Sequence, residues 1–157
     1  EMLRKKNKNI YLQIIGDTLP EYQKYLNQLK VEIKKRGLNN NIKFLGFRND
    51  IISVLKKSTF FIHTPISPDP FPTVIFDAIQ SGTPIITNEL GGAYEILNDG
   101  GNGLIIKNDR IKESAEKIMS FIKNEKHQIK NIEEAFNYVR ESFSLEKFKT
   151  KILYTVE

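Results

Sequence analysis

Two aspartates, Asp69 and Asp77, stand in the stretch PDPFPTVIFDAIQSGTP with seven residues between them. Asp77 lies inside an oily run, Val74-Ile75-Phe76 before it and Ala78-Ile79 after it. A carboxylate in such a place is costly unless something pairs with it or it reaches water. Thr73, Asp77 and Ser81 recur every four residues, so a helix would gather them, with Gln80 beside them, into one polar stripe. That stripe faces either solvent or a ligand rich in hydroxyls or phosphate. Pro72 suits the first turn of such a helix, and the free N–H groups and partial positive charge of a helix N-terminus suit a phosphate. His63 closes an apolar run, either facing a cleft or packed as a structural residue. It and His127 are the two histidines, no H-x-x-x-H spacing occurs and there is no cysteine, so no metal site is expected. Gly91-Gly92 lacks the G-x-G-x-x-G spacing, and no G-K-[ST] follows any glycine run.

The elements that must position these residues follow from periodicity. Continuous apolar runs at Ile10–Gly16, Ile42–Leu45, Thr59–His63, Pro84–Thr87 and Gly103–Ile106 predict five buried strands. Helical spacing predicts helices over 19–37, 49–57, 73–81, 91–97, 110–124, 128–140 and 145–155, and Glu1 to Lys6 reads as the tail of another. Apolar strands that alternate with helices belong to a parallel sheet covered on both faces, a doubly wound, Rossmann-like α/β fold. In such sheets ligands bind beyond the C-terminal ends of the strands. That selects five loops: 16–18, 46–48, 63–72, 88–92 and 107–109.

At 157 residues, 39% hydrophobic and 27% charged, the chain suits a single domain, 1–157, able to bury a core. The absence of cysteine is compatible with a reducing compartment. Lysine and arginine exceed the acids by 24 to 19, and the excess sits in Arg4-Lys5-Lys6, Lys34-Lys35-Arg36 and Lys56-Lys57. Such clusters are either solvated helix ends or attractors of polyanions and anionic lipid. The interleaved aromatic and basic pattern of single-stranded nucleic-acid binders is not present, so no nucleic-acid partner is expected. The chain opens on Glu1 rather than methionine and reads as a piece of a longer polypeptide.

DPFPTVIFDAIQSGTPIIT followed by GGAYEILNDGGNGLII resembles the C-terminal half of retaining glycosyltransferases with the GT-B fold, the group-one class or family four. That family's pattern has two acids separated by seven residues, then small-x-Gly-x-Pro-hydrophobic, Gly-Gly-x-x-Glu and Asp-Gly-x-x-Gly. Asp69 and Asp77, Gly82 and Pro84, then Gly91, Gly92 and Glu95 occupy those positions. Asp99, Gly100 and Gly103 follow with one additional residue in the last block. IYLQIIGD, IKFLGFRND and FNYVRESFSLEKF resemble flanking parts of the same domain. Both acids are aspartate here where glutamate is usual. Pro72 stands where a glycine is usual, in a D-P-F-P variant of the loop.

The resemblance implies a nucleotide-sugar donor domain, lacking its first βα unit and the N-terminal acceptor domain. Asp77 would bond the ribose hydroxyls, and Asp69 with the backbone of Phe71, Pro72 and Thr73 would meet the donor sugar and diphosphate. Gly16, Gly46 and Arg48 would lie near base and diphosphate, and Gly92 and Glu95 would line the cleft toward the acceptor. No residue of the chain is named as catalytic; Asp69 is a donor-sugar contact. The donor would be a nucleoside diphosphate sugar, with no cofactor or metal. The acceptor glycan or lipid-linked glycan would be held by the missing domain. The expected location is the cytoplasm, with peripheral membrane contact open through the basic clusters. The alternative is a non-catalytic module of the same fold that binds a nucleotide or a partner protein.

Overall fold

The computed structural model describes residues 1–147 and 149–150. Its elements are α1 (Met2–Lys6), β1 (Leu12–Ile15), α2 (Gln23–Lys35), β2 (Ile42–Gly46), α3 (Ile51–Leu55), β3 (Phe61–His63) and α4 (Val74–Ser81), then β4 (Ile85–Asn88), α5 (Ala93–Ile96), β5 (Leu104–Ile106), α6 (Ile111–Ile122) and α7 (Glu125–Ser142). The five predicted strands form, each shifted at its ends by a residue or two. The helix expected over 145–155 falls largely on residues outside those described. The chain divides into two compact units, Glu1–Asp50 and Ile51–Glu157.

In the first unit β1 and β2 pair in parallel from Leu12↔Ile42 to Ile15↔Gly46. A single 3-10 turn, Pro20–Tyr22, leads into α2 because proline presets the helical φ without needing an N–H. Helix α2 buries Ile33 and stops at Gly37, whose positive φ of 63° lets the N–H of Leu38 reach back to the Ile33 carbonyl at 3.0 Å. Lys34 and Lys35 in its last turn complement the helix dipole.

In the second unit β4 is central, paired in parallel with β3 on one side and β5 on the other. All four of its residues are buried. Ile75, Ala78 and Ile79 of α4 meet Ile85, Ala93, Ile96, Leu97 and Ala135 in one core, with Phe61, Phe76, Val139 and Phe143 packed against it. Each fully buried isoleucine or leucine there contributes roughly 1.5–3 kcal/mol. Helix α4 ends at Gly82, in the left-handed conformation, with the N–H of Thr83 returning to the Ala78 carbonyl at 3.0 Å.

The parallel, Rossmann-like α/β expectation holds, every strand pair among the described residues being parallel, and two details of it are refined. Strand hydrogen bonds form a two-stranded and a three-stranded sheet among the described residues, not one continuous sheet. Coverage on both faces holds for β4, whereas Leu12 of β1 and Ile62 of β3 are exposed. An apolar run alone does not say which strand is flanked on both sides; β4 is, with a hydrogen-bonded neighbour at each edge.

Candidate functional site

The rotation of α4 is set by its apolar face, since Ile75, Ala78 and Ile79 are sealed in the core. Asp77 therefore comes off the side of the helix, half-buried, and its carboxylate has no hydrogen bond or ion pair among the described residues. The expected stripe is shorter than its spacing suggests. The Ser81 hydroxyl lies 2.8 Å from the Ala78 carbonyl and 2.7 Å from Thr83 Oγ1, so it is tied to the helix's own end. Thr73, exposed, makes no side-chain cap bond and remains with Asp77 on the available surface.

Ahead of α4 the loop carrying Asp69 is fastened at both ends. Asn88, at the end of β4, donates from Nδ2 to the Pro65 carbonyl at 2.8 Å and accepts the N–H of Leu90 at 3.2 Å. Asn108, beyond β5, donates to the same Pro65 carbonyl at 3.3 Å. The Asp69 carbonyl accepts the N–H of Gly92 at 2.8 Å. A Cβ on Gly92 would overlap the Pro70 carbonyl, and one on Gly91 the Asp69 carbonyl. These two glycines let the protein's own backbone approach, where the sequence left a ligand as the visitor. Phe71 anchors the loop's far end, its ring 5.2 Å from Phe76 and 6.1 Å from Phe143.

The backbone donors sort differently from expectation. Asp69 Oδ1 accepts the N–H of Phe71 at 3.1 Å, so that donor is taken. Pro72, buried, has none. Among the described residues the N–H groups of Thr73 and Val74 have no acceptor, and they open α4 with its partial positive charge. Asp69 keeps its second carboxylate oxygen. Glu95, on α5, is exposed and unpaired among the described residues.

His63 ends β3 opposite Thr87. Its Nδ1 is buried with no partner among the described residues. Burial pushes the imidazole below its ordinary value, against the opposing pull of the Asp69 charge. Asn88, Asn108 and the unpartnered His63 nitrogen are the parts of this site that sequence motifs did not mark. The signal available was their position, one at or just past the end of each strand of the sheet.

In the first unit, the N–H of Gly16 donates to the Gly46 carbonyl at 2.9 Å, both glycines holding positive φ. Arg48 forks onto Asp50 through Nε at 2.8 Å and Nη2 at 2.6 Å, a pairing that raises its pKa further. Its guanidinium is thus engaged within its own loop. No group of three or more potential metal ligands occurs among the described residues, and no described helix is long and apolar enough to cross a membrane.

Residues 1–138 match the family described as Glycosyl transferases group 1. An uncharacterised glycosyltransferase of Methanocaldococcus jannaschii is 28% identical over 140 residues, covering 88% of this chain and 34% of its own length. Poly(glycerol-phosphate) alpha-glucosyltransferase of Bacillus subtilis is 29% identical over 110 residues, covering 69% of this chain and 16% of its own. Among solved structures, Anabaena HepE in complex with UDP and glucose superimposes with a TM-score of 0.85 at 28% identity, over 98% of this chain and 42% of that one. The chain therefore spans 34% and 16% of the length of these two curated relatives.

Proposed function

Because the chain belongs to the group 1 glycosyl transferases, we propose that it is the donor-binding part of a retaining glycosyltransferase. The parent would move a sugar from a nucleoside diphosphate to an acceptor hydroxyl. The observation that carries this reading is Asp77: half-buried on an apolar helix, without a partner among the described residues, one turn after two free backbone N–H groups. A carboxylate accepts two vicinal ribose hydroxyls, and the N–H pair with the dipole of α4 holds a diphosphate oxygen. The free oxygen of Asp69 meets a hydroxyl of the sugar. Anabaena HepE, solved with UDP and with UDP-glucose, makes uridine diphosphate the first donor to test.

In this reading the bond from the anomeric carbon to the diphosphate oxygen breaks, and an acceptor oxygen bonds the same carbon on the same face as its proton passes to the departing diphosphate oxygen. Negative charge grows on the diphosphate, which the donors at the start of α4 stabilise more in the transition state than before it.

Titration calorimetry of the parent protein with UDP, GDP and ADP tests the donor site. Asp77→Asn is expected to weaken nucleotide binding about 10- to 100-fold, a charge-assisted bond's worth, with the melting temperature unchanged. No binding of any nucleoside diphosphate by the parent would overturn the reading.

A further inference from the structure

Aromatic rings from three segments of the second unit meet at the end of α7. Phe143, the residue that closes α7, donates its N–H to the Val139 carbonyl at 2.9 Å. Its ring lies 5.7 Å from Phe76 and 6.1 Å from Tyr138, both edge to face, and 6.1 Å from Phe71, tilted by 44°. Phe71 and Phe76 are 5.2 Å apart. At such separations tilted and edge-on rings attract beyond the area they bury. Burial of apolar area explains Phe76 and Phe143, which pack against the core. It does not explain Phe71, which is 53% exposed and still meets two rings.

What Phe71 holds is the Asp69 carboxylate. The Asp69 backbone is fixed independently, since its carbonyl accepts the N–H of Gly92 at 2.8 Å. Its side chain is turned by the N–H of Phe71, which donates to Oδ1 at 3.1 Å and leaves the other oxygen free. Where Phe71 rests therefore decides where that free oxygen points. Two walls set the place of its ring. Phe76 is one, carried by α4, whose Ile75, Ala78 and Ile79 are sealed in the core. Phe143 is the other, brought in from the far end of α7.

We infer that Phe143 is a positioning residue for the Asp69 carboxylate, acting through the ring of Phe71. The inference rests on the reading of Asp69 as a donor-sugar contact, and it separates the two acids. Asp77 is carried by α4 itself and does not depend on Phe143, whereas Asp69 hangs on a loop that does. Leucine at position 143 would fill most of the same space but offer Phe71 no ring. A change at the end of α7 thus reaches the sugar and not the nucleotide.

The test uses the parent protein, with UDP and UDP-glucose as probes. Phe143→Leu is expected to weaken UDP-glucose about fivefold, the strength of one ring pair, and to leave UDP unchanged in titration calorimetry. Phe143→Tyr, which keeps the ring, should bind both as the original does. In a Phe71→Leu background the change at 143 should have no further effect, because the ring it acts through is gone. Amide exchange followed by NMR reads the same bracing with no ligand present. In Phe143→Leu the N–H of Phe71 should exchange about fivefold faster, and that of Gly92 at its original rate. Equal weakening of UDP and UDP-glucose, unchanged affinity for UDP-glucose, a further loss in the Phe71→Leu background, or unchanged exchange at Phe71 would each overturn the inference. If the original protein binds neither nucleotide while the exchange difference appears, the donor reading fails and the bracing of Asp69 stands.

Discussion

The loops that follow β3, β4 and β5 are tied to one another, whereas those that follow β1 and β2 are held mainly by short-range contacts. In the first set, Asn88, Asn108 and Gly92 carry hydrogen bonds between segments 20 or more residues apart, and the glycine turn has no clearance for a Cβ. In the second set, the side-chain bonds, Asp17 to Thr18 and Arg48 to Asp50, span one or two residues. One backbone bond, Gly16 to Gly46, joins the two loops. Built the first way, a loop is positioned before any ligand arrives, so little ordering cost falls on binding. Built the second way, it can adjust to what it meets.

Substitutions can break this contrast. The largest effect is expected at Gly92. Its φ of −70° suits any residue, so Gly92→Ala isolates the overlap with the Pro70 carbonyl and should cost about 3 kcal/mol or displace the Asp69 loop. Gly82→Ala is the control: a positive φ of 71° with nothing within 4 Å of the added Cβ, costing about 1 kcal/mol. Both are read by denaturant melts, and equal losses would remove the claim of close approach. Asn88→Ala should cost about 1–2 kcal/mol, because a buried amide with two bonds is lost while Asn108 still holds Pro65.

His63 supplies a smaller, pH-dependent effect. Its folded pKa lies below its ordinary 6.5, so the unfolded state takes up a proton first as pH falls. Its contribution to stability is whole above 6.5 and is lost as pH falls from there through the lower folded value. Melting temperature should therefore drop between about pH 7 and 5, and that slope should shrink in His63→Leu. Smallest is Arg48→Ala. An exposed pair closed within its own loop should leave the melting temperature unchanged, and a clear drop would show that this loop too is anchored from outside.

Much of the second unit was legible in the amino-acid order because local rules act there without competition. Helix α4 is announced by its apolar spacing and stopped by Gly82, and the loops at the strand ends follow from the βα alternation. The stripe Thr73-Asp77-Ser81 was half legible: periodicity placed all three on one side, but the end of a short helix gave Ser81 nearer partners. Arg48 is implied to lie near base and diphosphate, and its fork onto Asp50 could not be read because the sequence shows a neighbour's identity and not its geometry. The split into two sheets was invisible, since apolar runs report the tendency to form strands and say nothing of which strand finds which partner.

The sequence by itself determined the alternation of elements, the acids seven residues apart, the glycine pair and the family they point to. Periodicity and turn chemistry are properties of neighbours along the chain, and a motif is a fixed spacing. Only the tertiary structure decided that Asp77 is left without a partner and Phe71's N–H is taken. It also decided that Gly91-Gly92 receives the Asp69 backbone, and that Phe143 comes to rest against Phe71. Those outcomes depend on distances between residues far apart in the chain, which packing sets and spacing does not encode.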